Sequence, residues 1–316
     1  MIPARPVADP AEILIAGGDA DPNLGALLSC LRQRGVPHRA MLVGAGTHPR
    51  ATWDMESDEL RLDGEPCHPA AIFLRSDVFT GLAERRPEPF HRALAWFTTI
   101  SGWAISHPEV RLLNRASALQ VTNKLQVLHL ARQAGFAIPA TLVSNDHALL
   151  AGEVAARALI VKPVNGGDFA RQLEDVLAVA YVVNGSLASP AIVQERLTPP
   201  EVRVFRIDGR AFPYQLVADA LDYRSAADCK VLPLDESDLP IGLLPALGRL
   251  MDRLQMDFGA ADFKACPRTG RLLFLEINNS PMFAAFDAVS EGRLTKALSD
   301  FLGAGGGSPA DAPRAG

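Results

Sequence analysis

Glu276 interrupts an otherwise apolar run, Leu272-Leu273-Phe274-Leu275-Glu276-Ile277, and Asn278 follows two residues later. On a strand, side chains two apart leave the same face, so an acid and a carboxamide project together. The turn signal Pro267-Arg268-Thr269-Gly270 precedes this run, and a second apolar run, Gly259 to Ala265, precedes the turn. Antiparallel pairing centred on Thr269 predicts Asp262 opposite Glu276. Three hard oxygen donors on one hairpin suit magnesium, which takes a few carboxylates and completes its shell with water and phosphate oxygens. Spaced acids also occur as plain solvated surface on edge strands. An acid on a buried face needs a partner, however, and metal ligation supplies one.

A nucleotide held with magnesium also needs cations for its phosphates. Lys162 ends the strand-like run Leu159 to Lys162, directly before Pro163 and the pair Gly166-Gly167, where backbone amides can approach phosphate oxygens. Lys124 stands near the start of a helical pattern, after Thr122-Asn123. In the segment Glu201-Val202-Arg203-Val204-Phe205-Arg206 the period of two puts Glu201 and Arg203 on one face and Arg206 on the other. That is either an ordinary ion-paired strand or the acid and arginine that a ribose and a phosphate require.

The elements that position these residues read as an α/β chain with mixed α+β character. Ile13 to Ala16, a helix from Asn23 to Arg34 and the run Arg39 to Val43 form a β-α-β opening. Glu59 to Leu62 leads into Asp63-Gly64, a hairpin turn signal, and Ala71 to Leu74 is strand-like. Helical spacing from Pro89 to Ile105 closes a first unit near residue 115. A helix over Ser117 to Ala134 is stopped by Gly135. There follow strand Ala140 to Val143, helix His147 to Arg157, strand Leu159 to Lys162, and strands at Tyr181 to Val183, Ala191 to Glu195 and Glu201 to Ile207, together a mixed sheet. A helix from Ile241 to Leu254 precedes the final hairpin. Residues 1 to 10 and 304 to 316 are rich in Pro, Gly and Ala and are expected to be disordered.

The chain has 316 residues, 48% of them hydrophobic, enough for more than one core. Its formal net charge of −5 excludes a broad basic field for nucleic acid or an anionic membrane. Four widely spaced cysteines, Cys30, Cys67, Cys229 and Cys266, form no C-x-x-C pair and fit free thiols in a reducing cytosol. The start of the sequence lacks the apolar core of a signal peptide, so a cytoplasmic protein is expected.

The ordered set NRASALQVTNKLQVLHLARQAGFAIPATLVSND, LIVKPVNGGD, AIVQERL, EVRVFRIDGR, LDYRS and FGAADFKACPRTGRLLFLEINNSP, roughly residues 111 to 285, resembles the ATP-grasp superfamily. Its nearest likenesses are the ribosomal-protein glutamyl ligases and the graspetide ligases that macrocyclise peptides through ester or amide bonds. The resemblance implies a pre-ATP-grasp domain at 11–115, a central lobe at 116–196, a C-terminal lobe at 197–303 and a disordered tail at 304–316, the two lobes clasping ATP. It implies that Lys124 and Lys162, with Gly166 and Gly167, hold the phosphates. Gln194, Glu195 and Leu197 would form the adenine hinge, and Glu201 would bind the ribose. Arg203 and Arg224, the latter in Asp222-Tyr223-Arg224, would serve catalysis as clamps on the substrate carboxylate and its intermediate. Asp262, Glu276 and Asn278 would bind the metal, two magnesium ions with manganese as a substitute. The His-Arg-Gly-Gly run of the ribosomal-protein ligases is absent. The implied reaction forms an acyl phosphate and passes it to an amine or hydroxyl of a peptide or small-molecule substrate, with a second copy of the chain as a further candidate partner and with neither nucleic acid nor membrane. The alternatives are a small-molecule kinase on the same scaffold and a catalytically impaired ATP- or peptide-binding module.

Overall fold

The apolar run at the start of the chain becomes β1 (Ile13–Gly18), whose first four residues are buried. Burial on both faces is the signature of an inner parallel strand. It pairs in parallel with β2 (His38–Val43) and with β6 (Ala71–Leu74), and β6 pairs in parallel with β7 (Arg111–Leu112). The resulting sheet has the order β2-β1-β6-β7. Helix α1 (Pro22–Gln33) starts where Asp21 caps it, accepting the Asn23 amide at 2.8 Å with Pro22 at the first helical position. A small antiparallel sheet of β3 (Ala51–Asp54), β4 (Glu59–Leu62) and β5 (Glu65–Pro66) follows. The β4–β5 turn is Asp63-Gly64, both with positive φ (52° and 93°), as a two-residue hairpin of this hand requires. Helix α2 (Pro87–Ser106) lays Ile100, Trp103 and Ala104 into the core under Leu14, Ala16 and Ile72.

A computed structural model describes residues 12–79, 87–117, 123–165, 169–218 and 228–304. The chain divides into two compact units, and among the described residues the first holds 12–117, 256–258 and 282–304. The sequence division carried the C-terminal lobe to residue 303. Instead, 282–304 belongs to the first unit, through α7 (Ala284–Ala288) and α8 (Arg293–Gly303). Leu294, Ala297, Leu298 and Phe301 of α8 are buried, and Asp300 pairs with Arg34 at 2.7 Å. Except for Ala304, the expected disordered tail lies outside the described residues, as do residues 1–11.

The second unit holds two sheets. The helix expected over Ser117 to Ala134 is shorter. Asn123 is extended and caps α3 (Lys124–Gln133), its side chain accepting the amides of Leu125 and Gln126. Strands β8 (Thr141–Asp146), β9 (Leu159–Pro163), β10 (Arg171–Gln172) and β11 (Ser186–Glu195) form the order β10-β9-β11-β8, every pairing antiparallel, so the sheet is not mixed as expected. Helices α4 (His147–Ala156) and α5 (Leu173–Ala178) bury Leu150 and Leu173 against its Leu159, Val161 and Val193. The strand expected at Tyr181 to Val183 is absent. Asn184 and Gly185 take positive φ and turn the chain back, leaving one bridge between Val183 and Ser186, so β11 begins at Ser186 rather than Ala191. The other sheet comprises β12 (Thr198–Ile207), β13 (Arg210–Val217), β14 (Lys230–Pro233), β15 (Phe258–Ala265) and β16 (Leu272–Asn278), in the order β14-β13-β12-β15-β16. Helix α6 (Leu243–Arg253) buries Leu243, Ala246, Leu247, Leu250 and Met251 along one stripe. Among the described residues no helix is long and apolar enough to cross a membrane.

Candidate active site

The β15–β16 hairpin closes through Gly270, whose amide donates to the Cys266 carbonyl at 2.8 Å and whose φ is +68°. Near the turn Lys264 pairs with Leu273 and Phe263 with Phe274. A bulge then leaves Leu275 as an extra residue, and beyond it Asp262 stands opposite Glu276 and Ala260 opposite Asn278. The Asp262–Glu276 pair is thus the one that symmetry about Thr269 predicts. Leu275 packs against the buried cluster of Leu197, Cys266 and Leu273.

Sheet order places β12 against β15, and side chains on one face meet there in ion pairs. Arg203 grips Asp262 with two hydrogen bonds, Nε to Oδ1 at 2.6 Å and Nη2 to Oδ2 at 2.7 Å, both side chains nearly fully buried. Two residues along each strand, Lys264 Nζ meets Glu201 Oε2 at 3.0 Å. On β16, Glu276 Oε2 accepts from Lys124 Nζ at 3.2 Å. That lysine is delivered by the first turn of α3, which is held against β16 by stacking of Phe136 on Phe274 (5.3 Å) and by the Phe274 amide on the Ala137 carbonyl. Asn278 is half-buried. Arg206 faces away, as period two requires. A Cβ built at Gly248 of α6 would lie 3.5 Å from its Nη2.

Three acids are therefore matched by three cations on one sheet face. Breaking the most buried of these pairs on one side would strand a charge at about 3–5 kcal/mol. Among the described residues no three His, Cys, Asp or Glu side chains gather as a metal cluster. Two carboxylates and a carboxamide do fit magnesium, whose remaining ligands come from water and phosphate. The cations now on Asp262 and Glu276 supply the compensating charge that such buried acids need.

Of the residues expected to form an adenine hinge, Gln194 and Glu195 end β11 and Leu197 lies in the two-residue link to β12. The Gln194 side chain is buried and donates to Thr141 Oγ1 at 3.0 Å. Glu195 accepts the Ala140 amide on Oε1 at 3.0 Å and pairs with Arg268 at 3.3 Å. The amides of Glu195 and Arg196 donate to the carbonyls of Ala140 and Ala158. Leu197 is buried beside Cys266 and Leu273. Lys162 stands on β9 opposite Ile192, half-buried. Gly166, Gly167 and the whole of Asp222-Tyr223-Arg224 lie outside the described residues.

One residue of this face escaped the sequence reading. Lys264 is two positions from Asp262, so the rule that joined Glu276 to Asn278 puts it on the same side.

The sequence matches no protein-family model and no curated protein. Solved structures similar to the chain include the ATP-grasp ligase PsnB complexed with a phosphomimetic variant of a minimal precursor, magnesium and ADP (TM-score 0.74, 23% identity, covering 93% of this chain and 98% of that one). A RiPP-associated ATP-grasp ligase of Chryseobacterium gregarium, in complex with ADP and a leader and core peptide, is similar at a TM-score of 0.71 and 20% identity, covering 96% of this chain and 98% of that one. The macrocyclase MdnC of Microcystis aeruginosa MRC, bound with precursor peptide MdnA, is similar at 0.69 and 19%, covering 92% and 99%. The chain has the ATP-grasp fold.

Proposed function

We propose that this protein is an ATP-dependent, ADP-forming ligase that activates a carboxylate as an acyl phosphate and joins it to an amine or hydroxyl, acting on a peptide in the cytoplasm. The observation that carries the reading is the sheet face on which Glu201, Asp262 and Glu276 meet Lys264, Arg203 and Lys124, on a fold shared with ATP-grasp ligases. Such paired charge is what a magnesium–nucleotide site needs, acids for metal and ribose beside cations for phosphate.

In this reading Asp262, Glu276 and Asn278 would hold magnesium. Bound there, the metal neutralises the charge of the transferring phosphoryl group. Lys124 and Lys162 would grip phosphate oxygens, with Gly166 and Gly167 as the further residues assigned to the phosphates. Glu201 accepts from the ribose, and the segment from Gln194 through Glu195 to Leu197 lines the adenine. Arg203 and Arg224 orient the substrate carboxylate, so that one of its oxygens attacks the γ-phosphorus and ADP leaves. An amine or hydroxyl then attacks the acyl carbon, losing its proton as phosphate departs. No side chain need act as nucleophile. The similar ligases are complexed with precursor peptides, which supports a peptide as substrate here.

The test supplies magnesium, ATP and peptides carrying acidic side chains together with Lys, Ser or Thr, including any precursor encoded beside the gene. The expected products are ADP, free phosphate and a peptide lighter by one water per bond, with added hydroxylamine trapping a hydroxamate. ADP without free phosphate, accompanied by a phosphorylated hydroxyl, would replace the ligase with a kinase.

A further inference from the structure

We infer that Lys264 sets the ribose selectivity of this site by holding Glu201 in place; the inference rests on the nucleotide reading above. Lys264 is 8% exposed, on a strand that is buried along its whole length. A lysine buried this far must be compensated, because leaving an ammonium without an opposite charge in the interior is costly. Its Nζ lies 3.0 Å from Glu201 Oε2, and the Glu201 side chain is itself only 13% exposed.

The pair repeats the geometry of its neighbour. Glu201 and Arg203 are two apart on β12, Asp262 and Lys264 two apart on β15, so the ion pairs are successive rungs of the same strand pairing with their polarity reversed. In one rung the strand β12 gives the cation and in the next it gives the acid. This alternation fixes each acid twice, by its own cation and by the opposite charges one rung away. Without the Lys264 ammonium, the carboxylate on the long, rotatable stem of Glu201 would be held less closely, and would lose more freedom on meeting a ligand. The lysine has already restricted it. A carboxylate held on one side by an ammonium still has lone pairs for further donors, and vicinal ribose hydroxyls are donors of the matching kind. Lys264 is accordingly a positioning residue that acts through Glu201 without touching the nucleotide.

A double-substitution cycle read by calorimetric titration of the full chain tests this, with ATP and 2′,3′-dideoxy-ATP as probes in magnesium. The unsubstituted protein should prefer ATP by about tenfold or more, the worth of hydrogen bonds to a charged acceptor. Glu201→Gln and Lys264→Met should each shrink that preference to within about twofold, and the double variant should match Glu201→Gln alone in both affinities, since two residues acting as one unit are not additive. Lys264→Arg, which keeps the cation, should retain most of the preference. If Lys264→Met strands Glu201 badly enough to unfold the protein, the double variant removes both charges together, and its comparison with Glu201→Gln still decides. A Lys264→Met protein that keeps the full preference overturns the inference. So does a double variant that binds ATP about tenfold more weakly than Glu201→Gln, because Lys264 would then contact the nucleotide itself. Failure of the unsubstituted protein to bind ATP at all would instead remove the nucleotide reading, and this inference with it.

Discussion

Two buried arginine–aspartate pairs, one in each unit, have nearly the same chemistry and different surroundings. In the first unit Arg75 Nε donates to Asp21 Oδ2 at 2.7 Å, the side chains 4% and 1% exposed. In the second, Arg203 holds Asp262 at 2.6 and 2.7 Å. Asp21 has structural work on its other oxygen, where Oδ1 takes the Asn23 amide at 2.8 Å and caps α1. Asn23 in turn receives the amides of Phe283 and Ala284 on its own oxygen, which ties the loop before α7 to the start of α1. On its aspartate side the Arg75 pair therefore ends in backbone. The Arg203 pair ends in more charge, with Glu276 opposite Asp262 and the Lys264–Glu201 rung beside it. A buried ion pair is weak evidence of function by itself. What separates these two is whether the neighbours are amides of the fold or acids and cations a ligand could use.

The sharpest way to break the contrast is to remove the arginines. Arg75→Met should cost about 3–5 kcal/mol of stability, read as a lowered urea midpoint, because it leaves Asp21 buried and uncompensated. Turnover per folded molecule should stay as it was. Adding Asp21→Asn should recover part of the loss, since asparagine caps a helix about as well as aspartate. An Arg75→Met protein that folds normally but fails to turn over ATP would place this pair in the active site and erase the distinction.

A smaller effect sharpens the same comparison through the metal. Arg203→Met frees Asp262 beside Glu276, and magnesium can then replace the lost guanidinium. With a dissociation constant of about 1 mM, 10 mM magnesium would return about 1.4 kcal/mol, or roughly 3 °C in melting temperature. Magnesium should leave Arg75→Met unmoved, because the other carboxylate oxygen of Asp21 is already taken by the Asn23 amide and side chain. Equal responses of the two variants would sink the assignment of Asp262 and Glu276 as metal ligands.

The sequence made part of this legible, for reasons of range. Thr269 is seven residues from both Asp262 and Glu276, so a local turn sufficed to pair them. The bulge at Leu275 was invisible, yet harmless, because its extra residue compensates for a turn centred slightly earlier. Partners of the acids were harder. Arg203 and Asp262 are separated by 59 residues, and no turn sets the register between β12 and β15. Strand β13 has no clean sequence signal, because Pro213 lies in its middle and proline argues against an inner strand. The structure places it opposite Val204, where its carbonyl still accepts the Leu234 amide. The apolar spacing of Leu294, Ala297, Leu298 and Phe301 was readable as a helix, but its membership in the first unit depends on Arg34, over 250 residues away. The Asn184-Gly185 turn, by contrast, is a clear local signal in the sequence, and it is what ends the β-branched run beside it.

The smallest expected effect uses the thiols that the two regions contain. Cys67, fully enclosed in the first unit's core, has its thiol pushed up to about 11 by burial. At pH 8 roughly one molecule in a thousand then carries the thiolate, the form that reacts with iodoacetamide, and the core shields even that. Cys266 sits beside Leu197 at the end of the hinge, and its thiol is drawn below the ordinary range, first by the Thr269 hydroxyl and then by the Arg268 amide. Because the thiolate is the nucleophile, a depressed thiol gains reactivity at a lower pH than a normal one, and its labelling rate levels off once the pH passes its own midpoint. Cys266 is itself only 5% exposed, so the difference rests on its more acidic thiol and on its place beside the hairpin turn: at pH 8, mass-spectrometric mapping of iodoacetamide adducts should find Cys266 labelled before Cys67. If adenine lies against Leu197, ATP with magnesium should slow Cys266 labelling by about fivefold, equivalent to about 1 kcal/mol of protection, and leave Cys67 as an unmoved internal reference. Labelling of Cys266 at the same rate with and without nucleotide, in protein shown to bind ATP, would move the base away from this hinge while leaving the charged face of β12, β15 and β16 as the phosphate and metal site.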